Sequence, residues 1–168
     1  MYHFGFYAND PAMEFCMDIY ALIHNDHESA TRIIEQINAL PDTRHSERLI
    51  LFRHLKEDLL AHNDAEDASL YEALRQHDAT LPLARDSSLE HDNLVALLDN
   101  LDSRQLSPAA WRNRFARMQQ AFFHHIREEE SSVFAAARRI LNPATATRLT
   151  ETMQRIKFLR RELLRKAS

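Results

Sequence analysis

Glycine is almost missing from this chain: Gly5 is the single one among 168 residues, beside five prolines. Phosphate-cradling loops and dinucleotide fingerprints need glycines where the backbone meets its ligand, so both are excluded. So few breakers leave long uninterrupted segments that favour helix. Cysteine is equally scarce. Cys16 stands alone, which excludes an internal disulfide and any thiolate zinc cluster, and its expected state is a buried, inert thiol. No apolar run is long enough to span a bilayer, and MYHFGFYANDPAMEF lacks the layout of a signal peptide. The expectation is therefore no membrane association and a cytoplasmic location. A net charge of −4 carries no basic footprint, so no nucleic-acid partner is expected. With 45% hydrophobic and 27% charged residues, the composition suits one ordinary globular domain. The chain is rich in one residue type only: ten histidines.

The punctuation is helical throughout. Pro11 predicts the start of a first helix that runs to about Leu40, before Pro41. Asp42 or Ser46 can cap a second, ending near His77. Ser87-Ser88-Leu89-Glu90 has capping-box spacing and predicts a short third helix. Ser107-Pro108 and Asn142-Pro143 each read as an N-cap followed by proline in the first turn, opening a fourth and a fifth. The predicted fold class is all-α: an antiparallel up-down-up-down four-helix bundle with an additional C-terminal helix. The expected boundaries are an N-terminal arm over 1–11, the bundle over 12–141, and an amphipathic helix over 142–168 packed on the bundle.

Each helix carries one inward stripe at alternating spacings of three and four. The first reads Tyr20, Ile23, His27, Ala30, Ile34, Ile37. The second reads Leu51, Leu55, Leu59, His62, Glu66, Ser69, Ala73. The third reads His91, Leu94, Leu98, Leu101. The fourth reads Trp111, Phe115, Met118, Phe122, His125, Glu129, Ser132, Ala136. Every stripe is apolar except at one level, where a histidine, or a histidine plus a glutamate, interrupts it. The chain also repeats itself. HESATRIIEQI (27–37) matches HDNLVALLDNL (91–101), and HNDAEDASLYEA (62–73) matches HIREEESSVFAA (125–136). His27 precedes His91 by 64 residues, and 63 separate both His62 from His125 and Glu66 from Glu129. Two helical hairpins related by a pseudo-twofold would gather these six side chains about one point.

A histidine and a glutamate four apart stack on one helix face and can reach the same ion. A single HxxxE is more often a surface ion pair. Its repetition on inward stripes, with two further stripe histidines, points instead to metal, because charged groups rarely go inside unless paired or ligating. Imidazole with carboxylate suits iron, zinc, manganese or copper. Six ligands exceed one tetrahedral zinc and suit two ions, each held by two histidines, with Glu66 and Glu129 bridging. The remaining histidines lack symmetric partners: His24 corresponds to Ser88, His54 to Arg117, His124 to Ala61. His54 and Asp58 form a secondary HxxxD candidate whose repeat equivalent is Ala121. His3, His45 and His77 lie near segment ends and read as solvated. Glu128 and Glu130 point about 100° to either side of Glu129, towards solvent or neighbouring helices, so of HHIREEESSVF only His125 and Glu129 belong inside.

This pattern resembles the hemerythrin-like, or HHE cation-binding, family over about residues 12–141. That family places a histidine on the first helix, HxxxE on the second, a histidine on the third and HxxxE on the fourth. His27, His62 with Glu66, His91, and His125 with Glu129 stand at those positions. The resemblance implies two iron ions in a non-haem diiron centre, bridged by the two glutamates and an oxo or hydroxo group. Zinc and manganese accept the same ligand types. Oxygen carriers of the family have a fifth histidine one turn after the third-helix ligand. Here that position is Val95, which points away from reversible oxygen carriage. The implied function is binding of a small ligand (oxygen, nitric oxide or peroxide) for sensing, storage or scavenging. The alternative is a diiron enzyme of nitric oxide or peroxide detoxification, or of iron–sulfur centre repair. A ferritin-type site would need Glu-x-x-His, which the chain does not contain.

Two aromatic readings and one helix complete the expectations. Tyr20 lies two turns before His27 and reads as core. Tyr71 and Phe134 occupy equivalent repeat positions and should wall the site. The last helix should pack through Leu149, Met153, Ile156 and Leu163, with Arg155, Lys157, Arg160 and Arg161 solvated. It also offers a face for a homodimer or for an acidic partner.

Overall fold

The computed structural model describes residues 17–102 and 106–167, and every regular element among them is helical. Helix α1 is Ile19–Ala39. A short 3₁₀ turn, Asp42–Arg44, leads into α2, which spans 45–75. Helix α3 is Leu81–Asp99, α4 spans 108–140, and α5 is Pro143–Ala167. The short connections make sequential helices antiparallel. Helix α1 packs on α2, α3 on α4, and α5 lies against both α1 and α2. The result is the expected all-α bundle. The N-terminal arm, His3 and Cys16 lie outside the described residues.

Two of the expected starts move. Among the described residues the first helix opens at Asp18, whose carboxylate accepts the Ala21 N–H at 2.8 Å after a non-helical Met17; Pro11, the expected start, lies outside them. Neither Asp42 nor Ser46 caps α2: the residue at its N-cap is Arg44, with no side-chain cap bond. Most clearly, Ser87 and Ser88 do not open α3, which starts two turns earlier. Pro82 sits in its first turn, where no backbone N–H is required. Ser88, now mid-helix, returns its hydroxyl to the Ala84 carbonyl at 2.9 Å. The other two starts stand as read. Ser107 accepts the Ala110 N–H at 3.2 Å, and Asn142 accepts that of Thr145 at 2.9 Å.

The inward stripes of α1 and α3 are buried as read. That of α4 holds only as far as Glu129; that of α2 begins at a half-buried Leu51, holds through Ser69 and fails at Ala73. Each helix then makes one π-helical turn, over Asp67–Tyr71 and Glu129–Val133. A π turn takes an extra residue per revolution, so the stripe slips by one position. Val133 and Ala137 are buried where Ser132 and Ala136 were expected, and Leu70 and Leu74 fill the place expected of Ala73. The two slips occur within one residue of equivalent points of the repeat.

Apolar packing forms two clusters with a polar level between them. One contains Ile34, Phe52, Leu55, Leu98, Trp111, Phe115 and Phe122. The other contains Ile19, Ile23, Leu70, Tyr71, Leu74, Val133 and Phe134, and takes in Met153 from α5. Tyr20 is core, as expected, with its ring edge on Phe134 at 5.2 Å. His45 corrects its solvated reading: it is half-buried with its ring 6.4 Å from Trp111. On α5 the buried face is Ala146, Thr150, Met153 and Lys157, while Leu163 is exposed and Lys157 is not solvated.

The π turn makes a discriminating prediction. Ser132→Asp should change stability by less than about 0.5 kcal/mol, as exposed substitutions do. Val133→Asp should cost about 3 kcal/mol or more through an unpaired buried charge. Equal losses in urea denaturation of the two variants would contradict the slipped register.

Candidate metal centre

All six residues picked from the repeat converge on the level between the apolar clusters, and all six are buried. Glu66 Oε2 lies 3.2 Å from His62 Nε2 and 3.5 Å from His91 Nε2. Glu129 Oε2 lies 3.3 Å from His27 Nε2 and 3.8 Å from His125 Nε2. The imidazoles pair as His27 with His62, ring centres 5.1 Å apart, and His91 with His125, at 4.6 Å. Each glutamate thus faces one histidine from each pair. Two subsets, His27–His125–Glu129 and Glu66–His91–His125, bring their candidate ligand atoms within 4.8 Å of one another.

The outer nitrogen of every ring is held by a carboxylate. His27 Nδ1 is 2.8 Å from Glu130, His62 Nδ1 3.1 Å from Asp26, His91 Nδ1 2.8 Å from Asp67, and His125 Nδ1 2.9 Å from Glu90. An ionised carboxylate only accepts, so each Nδ1 carries the proton and each Nε2 turns a lone pair inward. The four contacts close a ring around the bundle. An acid of α1 holds the histidine of α2, α2 holds α3, α3 holds α4, and α4 returns to α1. Their low pKa values agree with this. The His125 hydrogen bond lowers Glu90, and that of His27 lowers Glu130. Burial would raise Asp26, but His62 and Lys157 outweigh it and hold the carboxyl at about 2. Burial likewise opposes the lowering of Asp67, and His91, Ser88 and Arg75 prevail.

These four acids were missed as functional residues. The signal was present: each adjoins a candidate ligand in sequence, and Asp26 recurs as Glu90 and Asp67 as Glu130 at the repeat spacing. Glu130 does face a neighbouring helix, but it takes part in the centre through His27. Tyr71 also does more than wall the site. Its hydroxyl donates to Glu129 Oε1 at 2.7 Å, and its ring lies 5.3 Å from that of His91. Its repeat equivalent, Phe134, has no hydroxyl, so the pseudo-twofold breaks here. The remaining candidates stay outside. His24 and His124 are exposed and touch Glu130 and Glu90. His54 and His77 are exposed, and Asp58 pairs with Arg161 at 2.7 Å.

What remains unpartnered is the interior. Both oxygens of Glu66, Glu129 Oε2, His27 Nε2 and His62 Nε2 are buried and have no hydrogen-bond partner. His91 Nε2 and His125 Nε2 face one another at 3.1 Å, two lone pairs with no proton to share when both Nδ1 atoms hold theirs. Buried polar atoms left in this state are destabilising. A cation among them would satisfy these lone pairs at once. The charge agrees. Six carboxylates surround the level, and among the described residues Lys157 and Arg75 are the fixed cations that pair with them. Without a cation, burial pushes Glu66 up to about 7 and Glu129 well above the usual carboxylate range. Burial also lowers His27 to about 3 and His91 to about 4, leaving both as free bases. Two carboxylates and neutral imidazoles with inward lone pairs fit divalent metal.

A family model described as the hemerythrin HHE cation binding domain matches residues 18–137. The chain belongs to this metal-binding family. No curated protein and no solved structure matches it. Among the described residues no helix is long and apolar enough to cross a membrane.

The raised carboxyls predict the pH dependence of loading. Metal needs Glu66 ionised, whereas the metal-free side chain keeps its proton up to about pH 7. Affinity should therefore fall as pH drops below 7, by roughly tenfold per unit for this one competing proton. Proton release on metal titration in weak buffer should be larger at pH 6 than at pH 8. Equal release at both would contradict a protonated Glu66 in the empty site.

Proposed function

We propose that this HHE-family chain is a non-haem diiron protein that binds a small ligand, oxygen, nitric oxide or peroxide, for sensing, storage or scavenging. The observation that carries the reading is the set of unpartnered inward atoms on His27, His62, Glu66 and Glu129. One ion would be held by His27 and His62 and the other by His91 and His125, with Glu66 and Glu129 reaching from one pair to the other. Bound there, the pair of irons supplies electron exchange and open positions for a small ligand. The bundle over 12–141 carries the centre in this reading, and 142–168 is a helix packed on it.

The chain's own residues do the rest. Asp26, Asp67, Glu90 and Glu130 hold the Nδ1 protons, which fixes each ring and raises the basicity of Nε2. Tyr71 occupies one oxygen of Glu129 by hydrogen bonding and leaves the other free to ligate. Phe122 stands edge-on to His27, ring centres 6.2 Å apart, and with Tyr71 it keeps water from the level. Val95, one turn beyond His91, offers no donor, which favours ligand binding at an open position over reversible oxygen carriage.

The test is metal content and the optical spectrum of the isolated protein beside a Glu66→Ala/Glu129→Ala variant. The expected result is about two irons per chain with near-ultraviolet charge-transfer absorption, both lost in the variant. No metal, or one zinc indifferent to the variant, would sink the reading. Titration with oxygen, nitric oxide and peroxide then separates the roles: stable adducts mark a binding protein, and sustained turnover with a reductant marks an enzyme.

A further inference from the structure

The residues that orient the centre do not all belong to the family-matched segment. Asp67 is backed by Arg75 of its own helix at 2.9 Å and by the hydroxyl of Ser88. Glu90 and Glu130 have exposed His124 and His24 beside them, at 3.4 and 3.0 Å. Asp26 differs. Its cation is Lys157 of α5, beyond the matched residues 18–137, and the ammonium reaches both carboxylate oxygens. Lys157 is 8% exposed, although its sequence neighbours Arg155, Phe158 and Leu159 are exposed. A lysine is buried only against a strong partner. One oxygen of that partner, Asp26 Oδ2, is the acceptor of His62 Nδ1 at 3.1 Å.

We infer that Lys157 is a positioning residue of the centre: it anchors Asp26, Asp26 anchors the His62 ring with Nε2 inward, and α5 thereby completes one histidine of the site. Asp26 is half-buried, with 21% of its side chain exposed, so without the ammonium it can turn to water and release His62. The ring then loses the contact that selects its tautomer. The same helix supplies its own control. Arg160 pairs with Asp64 at 2.5 Å and Arg161 with Asp58 at 2.7 Å, which fastens α5 to α2 without touching Asp26.

The metal-affinity part of this inference rests on the diiron reading; the tautomer part does not. The experiment uses the full chain in four forms: wild type, Lys157→Met, Lys157→Arg, and Arg160→Gln/Arg161→Gln. Nitrogen-15 spectra of the metal-free histidine rings, with His62 assigned from a His62→Gln sample, report the tautomer, and ferrous iron is titrated under anaerobic conditions. Wild type, Lys157→Arg and the double variant should show His62 as a single Nδ1–H form. Lys157→Met should show a mixture, and iron binding at least about tenfold weaker than in the double variant. An unchanged tautomer in Lys157→Met would overturn the proposal. So would an equal change in the double variant, or a Lys157→Met chain that loses its helical circular dichroism while the double variant stays folded, since each assigns Lys157 to docking alone. Absence of iron binding in wild type would defeat the diiron reading, and the tautomer comparison would still decide the role of Lys157.

Discussion

Two buried carboxylates, Glu66 and Glu129, lie within hydrogen-bonding reach of one another in the middle of the bundle, and among the described residues no lysine or arginine pairs with either. Everything else about the centre follows from that constraint. Burial in a low-dielectric interior penalises both charges, and neither can shed its charge except by taking up a proton. Burial therefore raises both pKa values, and that rise is the physical statement of the deficit. The surrounding histidines cannot fill it, because their protons are committed outward to Asp26, Asp67, Glu90 and Glu130. Apart from protons that Glu66 and Glu129 take up themselves, the inward atoms are acceptors. A bundle that assembles acceptors in this way suits a cation.

The outward commitment gives the design its precision. Each histidine belongs to one helix and its orienting acid to another, so no ring can turn without disturbing a neighbouring element. The four contacts run once round the bundle and bind the packing of the helices to the aim of the ligands. The π turns serve the same end. One starts directly after Glu66 and the other at Glu129, and each slips the stripe by one residue. Tyr71 is buried against the centre in one half of the repeat, while its equivalent Phe134 packs in the apolar cluster against Tyr20. One hydroxyl therefore bonds one glutamate of the two, and the halves of a symmetric sequence become chemically unequal.

Helix α5 joins this arrangement from outside. Its apolar residues extend one core cluster, and its arginines fasten it to α2 through Asp64 and Asp58. Lys157 alone reaches the layer of acids around the histidines. An element that reads as a peripheral amphipathic helix thus contributes a buried charge within two hydrogen-bonded contacts of a candidate ligand.

The sequence by itself determined the helical class, the inward stripes of α1 and α3, the caps at Ser107 and Asn142, and the six central side chains. These follow from local chemistry and from periodicity: scarce glycine leaves helices, spacings of three and four select a face, and a repeat of 63 to 64 residues marks what belongs together. Only the tertiary structure decided where the period breaks, because a π turn is stabilised by what packs on either side of it. The true start of α3 was hidden for a related reason. Ser87 and Ser88 suit a cap locally, but a longer helix buries Ala84 and lets Ser88 reach Asp67. The orienting acids and Lys157 were hidden for the most general reason. An acid or a lysine on a helix face is ordinarily solvated, and only a partner on another element, 24 to 131 residues away, makes its burial favourable.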